Sequence, residues 1–333
     1  MQPPSPARQA VALATQGRIA DALRLLSDSA AAGDGEAAFA LGLWRLEGRM
    51  VPRDVAGARA DIARGAEAGH RDASRVYAGF LATGTGGPRD WAGALARLNH
   101  DAGSDALAMR QQALISVMAI DAAGEPLQIP QLEPVSETPR IAWVRALFTP
   151  DECAFLAELA APRFRPAVIF HEGQQRFVRD PVRESDAAGF PVVSEWPFVH
   201  ALNRRIAAAT GTTVEQGEPL QVLRYGPGQQ YKPHLDALPG LANQRRWTAL
   251  TWLNDDYDGG ETAFLETGHV LRGRAGDMLL FENALPDGRP DPGTRHAGQP
   301  VTRGIKLLAS RWIRERPADP STGFGQHEAE RRG

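Results

Sequence analysis

The sequence predicts an α+β chain of two domains: an N-terminal α-helical repeat solenoid, then a C-terminal jelly roll or barrel of short strands with flanking helices. Three observations predict this. The first third repeats itself at a period of 36 residues, a proline-rich stretch follows residue 120, and from Pro219 onward short apolar runs alternate with Gly, Pro, Asp and Asn turns. The chain's 333 residues suffice for two cores, and 43% hydrophobic with 23% charged residues is ordinary globular composition. A net charge of −3 gives no basic bias toward nucleic acid or an anionic membrane surface. The opening MQPPSPARQAVALATQ lacks the apolar core of a signal peptide, and no run of about 18 apolar residues occurs. Cys153 is the only cysteine, so no internal disulfide can form, and a reducing, cytoplasmic setting is expected.

Residues 1–120 carry the repeats. AAAGDGEAAFALGLWRLEGRMVPRDVAGA superposes on AEAGHRDASRVYAGFLATGTGGPRDWAGA, with Gly33 on Gly69, Ala37 on Ala73, Gly48 on Gly84, Asp54 on Asp90 and Ala58 on Ala94. A shortened third copy begins at HDAGSDALA. Small residues at fixed places let helices pack closely, and a glycine at each joint ends one helix before the next. The pattern resembles the Sel-one-like class of tetratricopeptide-type repeats. Such arrays expose concave faces, so the repeats are expected to dock a protein partner. Residues 121–140 hold four prolines and no helical periodicity, which predicts a linker.

Residues 141–317 form the second predicted domain, and 318–333 a disordered tail. IAWVRALF predicts a strand. Thr149, Pro150 and Glu152 supply an N-cap, a first-turn proline and a capping box for the helix that follows. A second helix is predicted over Trp196–Thr210, ending at Gly211. LQVLRY, TALTWLN, TAFLE, HVLRG, DMLLFE and IKLLASRWI then read as strands. The polar segment Phe170–Phe190 is expected to be a mobile lid.

The chemistry begins at QQYKPHLDAL, where His234 and Asp236 would share one strand face. An imidazole and a carboxylate so placed are two-thirds of the facial triad of non-haem iron oxygenases. A bare H-x-D is common at strand ends, so it needs a later histidine, and His296 supplies one. Lys306 opens the apolar strand IKLLASRWI, in register with Leu308, Ser310 and Trp312. An ammonium pointing inward there needs a buried anion, which the far end of a dicarboxylate co-substrate would supply. Lys232 and Lys306 are the chain's only two lysines among 37 basic residues.

From about Ile141 to Arg316 the chain resembles the prolyl 4-hydroxylase family of Fe(II)- and 2-oxoglutarate-dependent dioxygenases. The matching text is LQVLRYGPGQQYKPHLD, RRWTALTWLND, GGETAF, GDMLLF and RHAGQPVTRGIKLLASRWI, in that order. The resemblance implies a double-stranded β-helix with iron held by His234, Asp236 and His296. It implies that Lys306 binds the distal carboxylate of 2-oxoglutarate and that Tyr225 lines the same pocket. Arg245 and Tyr231 would flank the substrate groove. The implied reaction consumes O2 and 2-oxoglutarate, releases succinate and CO2, and hydroxylates a prolyl residue of a peptide or protein, with ascorbate as an accessory reductant. The family usually has tyrosine where this chain has Trp252, so this wall of the pocket departs from the pattern. Three alternatives stand beside this reading: a zinc hydrolase on the same ligands, a hydroxylase of a non-prolyl substrate, and a vestigial oxygenase scaffold whose repeats are the working, protein-binding part.

Overall fold

An acidic or histidine side chain starts most of the N-terminal helices, and the periodic glycines end two of them. In this computed structural model, α1 (Pro6–Thr15), α2 (Ile19–Ala31), α3 (Gly35–Glu47), α4 (Val55–Glu67), α5 (Arg71–Thr83), α6 (Trp91–Asp101) and α7 (Ala106–Ser116) follow one another. Residues 4–171, 176–179, 182–238 and 240–318 are described, 168–171 and 176–179 by backbone alone. Asp34, His70, Asp54 and Asp90 each accept a hydrogen bond from a first-turn backbone N–H, at 2.8–3.1 Å. Gly48 and Gly84 close α3 and α5 in the left-handed conformation, at φ of 70° and 79°. The 36-residue period is thus a period of caps. Consecutive helices bury Leu26, Leu41, Ile62, Val76 and Phe80. Gly42 permits one close approach, since a Cβ there would sit 2.6 Å from Ile62 Cγ1.

The described residues divide into two compact units, 4–127 with 191–201, and 128–190 with 202–318. The grouping of 191–201 with the helices is physical. Val192 is buried with Ile62 and Phe80, Phe198 N–H donates to Gln111 Oε1 at 3.4 Å, and a Cβ on Gly79 would meet Glu195 O at 2.9 Å. No described helix is long and apolar enough to cross a membrane.

The second unit is built on antiparallel sheets. β1 (Glu133–Glu137) and β2 (Arg140–Val144) precede α8 (Pro150–Ala160), which carries the expected capping box of Thr149 and Glu152. β3 (Arg165–Pro166), β4 (Val168–His171), β5 (Arg176–Arg179) and β6 (Asp186–Phe190) lead to α9 (Pro197–Thr210). Then come β7 (Leu220–Tyr225), β8 (Tyr231–His234), β9 (Arg245–Trp252), β10 (Tyr257–Gly259), β11 (Thr262–Phe264) and β12 (Val270–Leu271). β13 (Met278–Glu282), β14 (His296–Gly298), β15 (Val301–Gly304) and β16 (Lys306–Arg314) complete the chain of strands.

The major sheet has the order β1-β2-β13-β9-β16-β7-β6-β3, and a smaller one the order β12-β11-β14-β8. Trp143, Leu250, Trp252, Leu279, Phe281 and Leu308 from the large sheet meet Phe264 of the small one in a common core. This is a jelly roll, the α+β architecture expected. β1 lies inside the proline-rich stretch; it is an edge strand, where Pro134 can be accommodated without a central ladder. The segment expected to be a lid differs more. Asp186–Phe190 pairs with β7 as part of the major sheet, with Ala188 and Phe190 buried. Residues 172–175 and 180–181 of that segment, and the predicted tail beyond residue 318, lie outside the described residues.

Candidate metal centre and co-substrate cleft

Two adjacent strands of the small sheet bring the histidines together. His234 ends β8 and His296 begins β14, and the two are direct register partners. Asp236 lies two residues beyond the strand end rather than on the strand. The turn that carries it is tied by a reciprocal pair in which Gln244 accepts from Leu238 N–H at 2.9 Å and donates to Leu238 O at 2.7 Å. Ligand atoms from all three side chains lie within 4.8 Å of one another. His234 Nε2 is 3.6 Å from Asp236 Oδ1, and His296 Nε2 is 3.8 Å from Oδ2.

Each imidazole is oriented through its other nitrogen. Nδ1–H of His234 donates to Lys232 O at 2.8 Å, and Nδ1–H of His296 to Thr294 O at 2.9 Å. That fixes the tautomer, so both Nε2 lone pairs face the carboxylate. Thr248 Oγ1 donates to Asp236 Oδ2 at 2.6 Å, and Asn283 Nδ2 donates to Thr248 Oγ1 at 2.8 Å. Burial would raise Asp236, but the His234 contact, the His296 charge and the Thr248 hydrogen bond outweigh it and hold the carboxyl well below its usual range. Burial lowers His296 to about 4, against the pull of Asp236, which keeps it neutral and able to ligate near pH 7. Two imidazoles and one carboxylate so placed fit a divalent metal of the iron–zinc type.

His234, Asp236 and His296 open onto a cleft whose wall includes Tyr225, Tyr231, Thr262, Lys306, Leu308 and Trp312. The alternation expected along β16 holds, because residues 306, 308, 310 and 312 all line it. Lys306 is 3% exposed. Its Nζ donates to Gly260 O at 2.6 Å and lies 5.8 Å from the Tyr225 ring and 5.5 Å from the Trp252 ring. Tyr225 is its register partner on β7. Burial lowers the ammonium to about 7, Glu261 opposing and Arg272 assisting. An anion placed beside Nζ would raise it again by stabilising the charged form.

Residues 220–314 match the 2OG-Fe(II) oxygenase superfamily. Prolyl 4-hydroxylase 1 of Arabidopsis thaliana is 34% identical over 223 residues, which cover 61% of this chain and 79% of that protein. Probable prolyl 4-hydroxylase 10 of the same plant is 31% identical, over 55% of this chain and 71% of its own. The chain belongs to the prolyl 4-hydroxylase family of 2OG-Fe(II) oxygenases. A solved viral collagen prolyl hydroxylase of Paramecium Bursaria Chlorella virus-1 is 24% identical with a TM-score of 0.43, over 52% of this chain and 95% of that one.

The family and its relatives make the protein an Fe(II)- and 2-oxoglutarate-dependent dioxygenase. The other predicted residues fall into two groups. Tyr231 lines the cleft and stacks on His234 at 3.5 Å between ring centroids. Arg245 does not line it. Its guanidinium is held by both oxygens of Glu218, at 2.7 and 3.0 Å, and lies 3.8 Å over the Trp312 ring, backing a wall residue. Lys232 likewise points away, into a half-exposed pair with Glu184 at 3.3 Å. Sequence reasoning missed Thr248, Asn283 and Glu218. All three act through another side chain, and residue type and spacing carry no signal for that.

Proposed function

We propose that the protein hydroxylates prolyl residues of a peptide or protein, consuming 2-oxoglutarate and O2 and releasing succinate and CO2. The observation that carries the reading is the convergence of His234, Asp236, His296 and the buried Lys306 on one cleft, in a chain whose relatives are prolyl 4-hydroxylases. His234, Asp236 and His296 are the proposed iron ligands. Bound there, iron(II) would supply the oxygen chemistry that couples decarboxylation of 2-oxoglutarate to insertion of a hydroxyl group.

The protein's own residues do the rest. Lys306 neutralises the distal carboxylate of the co-substrate, while Tyr225 and Thr262 shape that end of the cleft. Tyr231 and Trp312 offer aromatic faces on which a prolyl ring can rest, with Arg245 acting from behind Trp312. Residues 141–317 hold this machinery. Residues 1–120 are proposed to dock the protein substrate, a role supported by the exposed Met109 and Val117 on and beside α7. Ascorbate would restore iron(II) after uncoupled turnover. The buried, unbridged Cys153 supports a reducing, cytoplasmic setting.

The test uses the full chain. Purified protein with Fe(II), 2-oxoglutarate and proline-containing peptides should release succinate in step with a mass gain of one oxygen atom on proline. Comparison of proteomes with and without the gene should then find the native substrate. Coupled oxidation that falls on residues other than proline would overturn the substrate assignment. Substitution of Met109 and Val117 by serine should slow the native protein substrate and spare short peptides; equal rates would remove the docking role.

A further inference from the structure

Behind Lys306 lies a second buried donor that the fold leaves without an acceptor. Tyr257, on β10, is 1% exposed, and its hydroxyl has no acceptor among the described residues, its one polar neighbour being the donor Nε1–H of Trp252. It is close to the lysine. Gly260, at φ 69°, sits between them: a Cβ there would lie 3.1 Å from Lys306 Cδ and 3.4 Å from Tyr257 Cε2. Trp252 packs in the same cluster, 0% exposed, with its ring 5.5 Å from Lys306 Nζ and its Nε1–H beside the Tyr257 hydroxyl.

Buried polar groups are nearly always paired, so an orphaned hydroxyl calls for a reason. Trp252 cannot supply it, because an indole N–H is a donor only and could at most give to the Tyr257 oxygen. Gly260 O accepts from Lys306 and makes no hydrogen bond with the Tyr257 hydroxyl. Burial pushes the Tyr257 hydroxyl up to about 12, so it keeps its proton and remains a donor across the neutral range. What is missing is an acceptor beside Lys306, and a carboxylate has oxygen lone pairs for more than one donor.

We infer that Tyr257 is a co-substrate-binding residue, its hydroxyl donating to the same distal carboxylate of 2-oxoglutarate that Lys306 neutralises. This rests on the dioxygenase reading and adds to it a donor from β10, packed behind the cleft-lining Lys306 and beside Trp252, which stands where the family has tyrosine. The Trp252 indole, packed against the phenol, would hold its ring in place.

The experiment compares the wild-type full chain with Tyr257→Phe by anaerobic titration of the Fe(II)-loaded protein. Binding is followed by the visible absorption that a 2-oxo acid produces on chelating iron(II), and no turnover is needed. The variant should bind 2-oxoglutarate about ten- to hundredfold more weakly. It should bind 2-oxobutyrate, which has the same 2-oxo acid end and no distal carboxylate, as the wild type does. Without ligand the variant should melt within a few degrees of the wild type, because the hydroxyl removed had no acceptor and loses only its weak contact with Trp252. An unchanged 2-oxoglutarate constant, as when a water is the acceptor, overturns the inference. So does equal weakening of both ligands, which would mean a distorted pocket. Failure of the wild type to bind 2-oxoglutarate would instead overturn the dioxygenase reading, and this inference with it.

Discussion

Lys306→Met is expected to stabilise the ligand-free protein while removing most of its affinity for 2-oxoglutarate. Methionine keeps the length and volume of the side chain without its charge. Folded, Lys306 titrates at about 7; unfolded, it returns to the ordinary 10.5. Each unit of difference is worth about 1.4 kcal/mol, so near pH 7 burying this lysine costs the wild type about 4 kcal/mol. The variant escapes that cost but leaves Gly260 O without its donor, which costs about 1 kcal/mol. The net gain is about 3 kcal/mol. Its pH dependence has a definite sign. A lysine depressed by folding makes the protein less stable as pH falls from the unfolded value toward the folded one, so the gap between variant and wild type should shrink by about 2 kcal/mol from near pH 7 to near pH 9. Urea denaturation of both proteins at the two pH values measures this. In parallel, 2-oxoglutarate binding should lose about 2–5 kcal/mol. A variant less stable than wild type near pH 7, or a gap that does not move with pH, would refute the reasoning.

Three further outcomes are expected. His234→Ala, Asp236→Ala and His296→Ala should each abolish 2-oxoglutarate-dependent absorption with Fe(II) and succinate release, and near-wild-type behaviour in any one would remove that residue from the proposed ligand set. Thr248→Val should weaken iron binding by about ten- to hundredfold and cost roughly 1–3 kcal/mol of stability, because it strands Asn283 Nδ2 and one Asp236 lone pair together; competition with a metal indicator and thermal melting read the two effects. Gly276→Ala should destabilise by more than about 2 kcal/mol, since φ is 91° and the new Cβ would lie 2.1 Å from Phe148 O; an unchanged melting temperature would contradict that backbone geometry.

What was legible in the sequence followed from strong local signals. Strand alternation was enough to turn Lys306 into the cleft, because one register error would have moved Leu308 and Trp312 out with it. The capping box at Thr149 and the period of the caps at Gly48 and Gly84 are likewise local chemistry. Asp236 was found for a partly mistaken reason: the strand stops at His234, and a glutamine brace in the following turn does what pleating was expected to do. β6 was missed because DAAGF has little of the branched or aromatic character that marks strands; pairing with β7 holds it extended. Arg245 shows the limit of motif reading. Its position matched a groove arginine, yet which way a long side chain turns depends on Glu218, a residue far away in sequence.

The allocation of residues 191–201 has a consequence for how this protein can be taken apart. The backbone leaves the strand-rich unit after β6, contributes one segment to the helical unit, and returns in mid-helix to complete the jelly roll. Among the described residues the chain passes from one unit to the other at 127/128, 190/191 and 201/202. A cut after residue 127 would leave 191–201 on the other fragment and strip Val192, 1% exposed and buried with Ile62 and Phe80, of its cover. The helical unit is thus not contiguous in sequence, and no single cut can excise it whole.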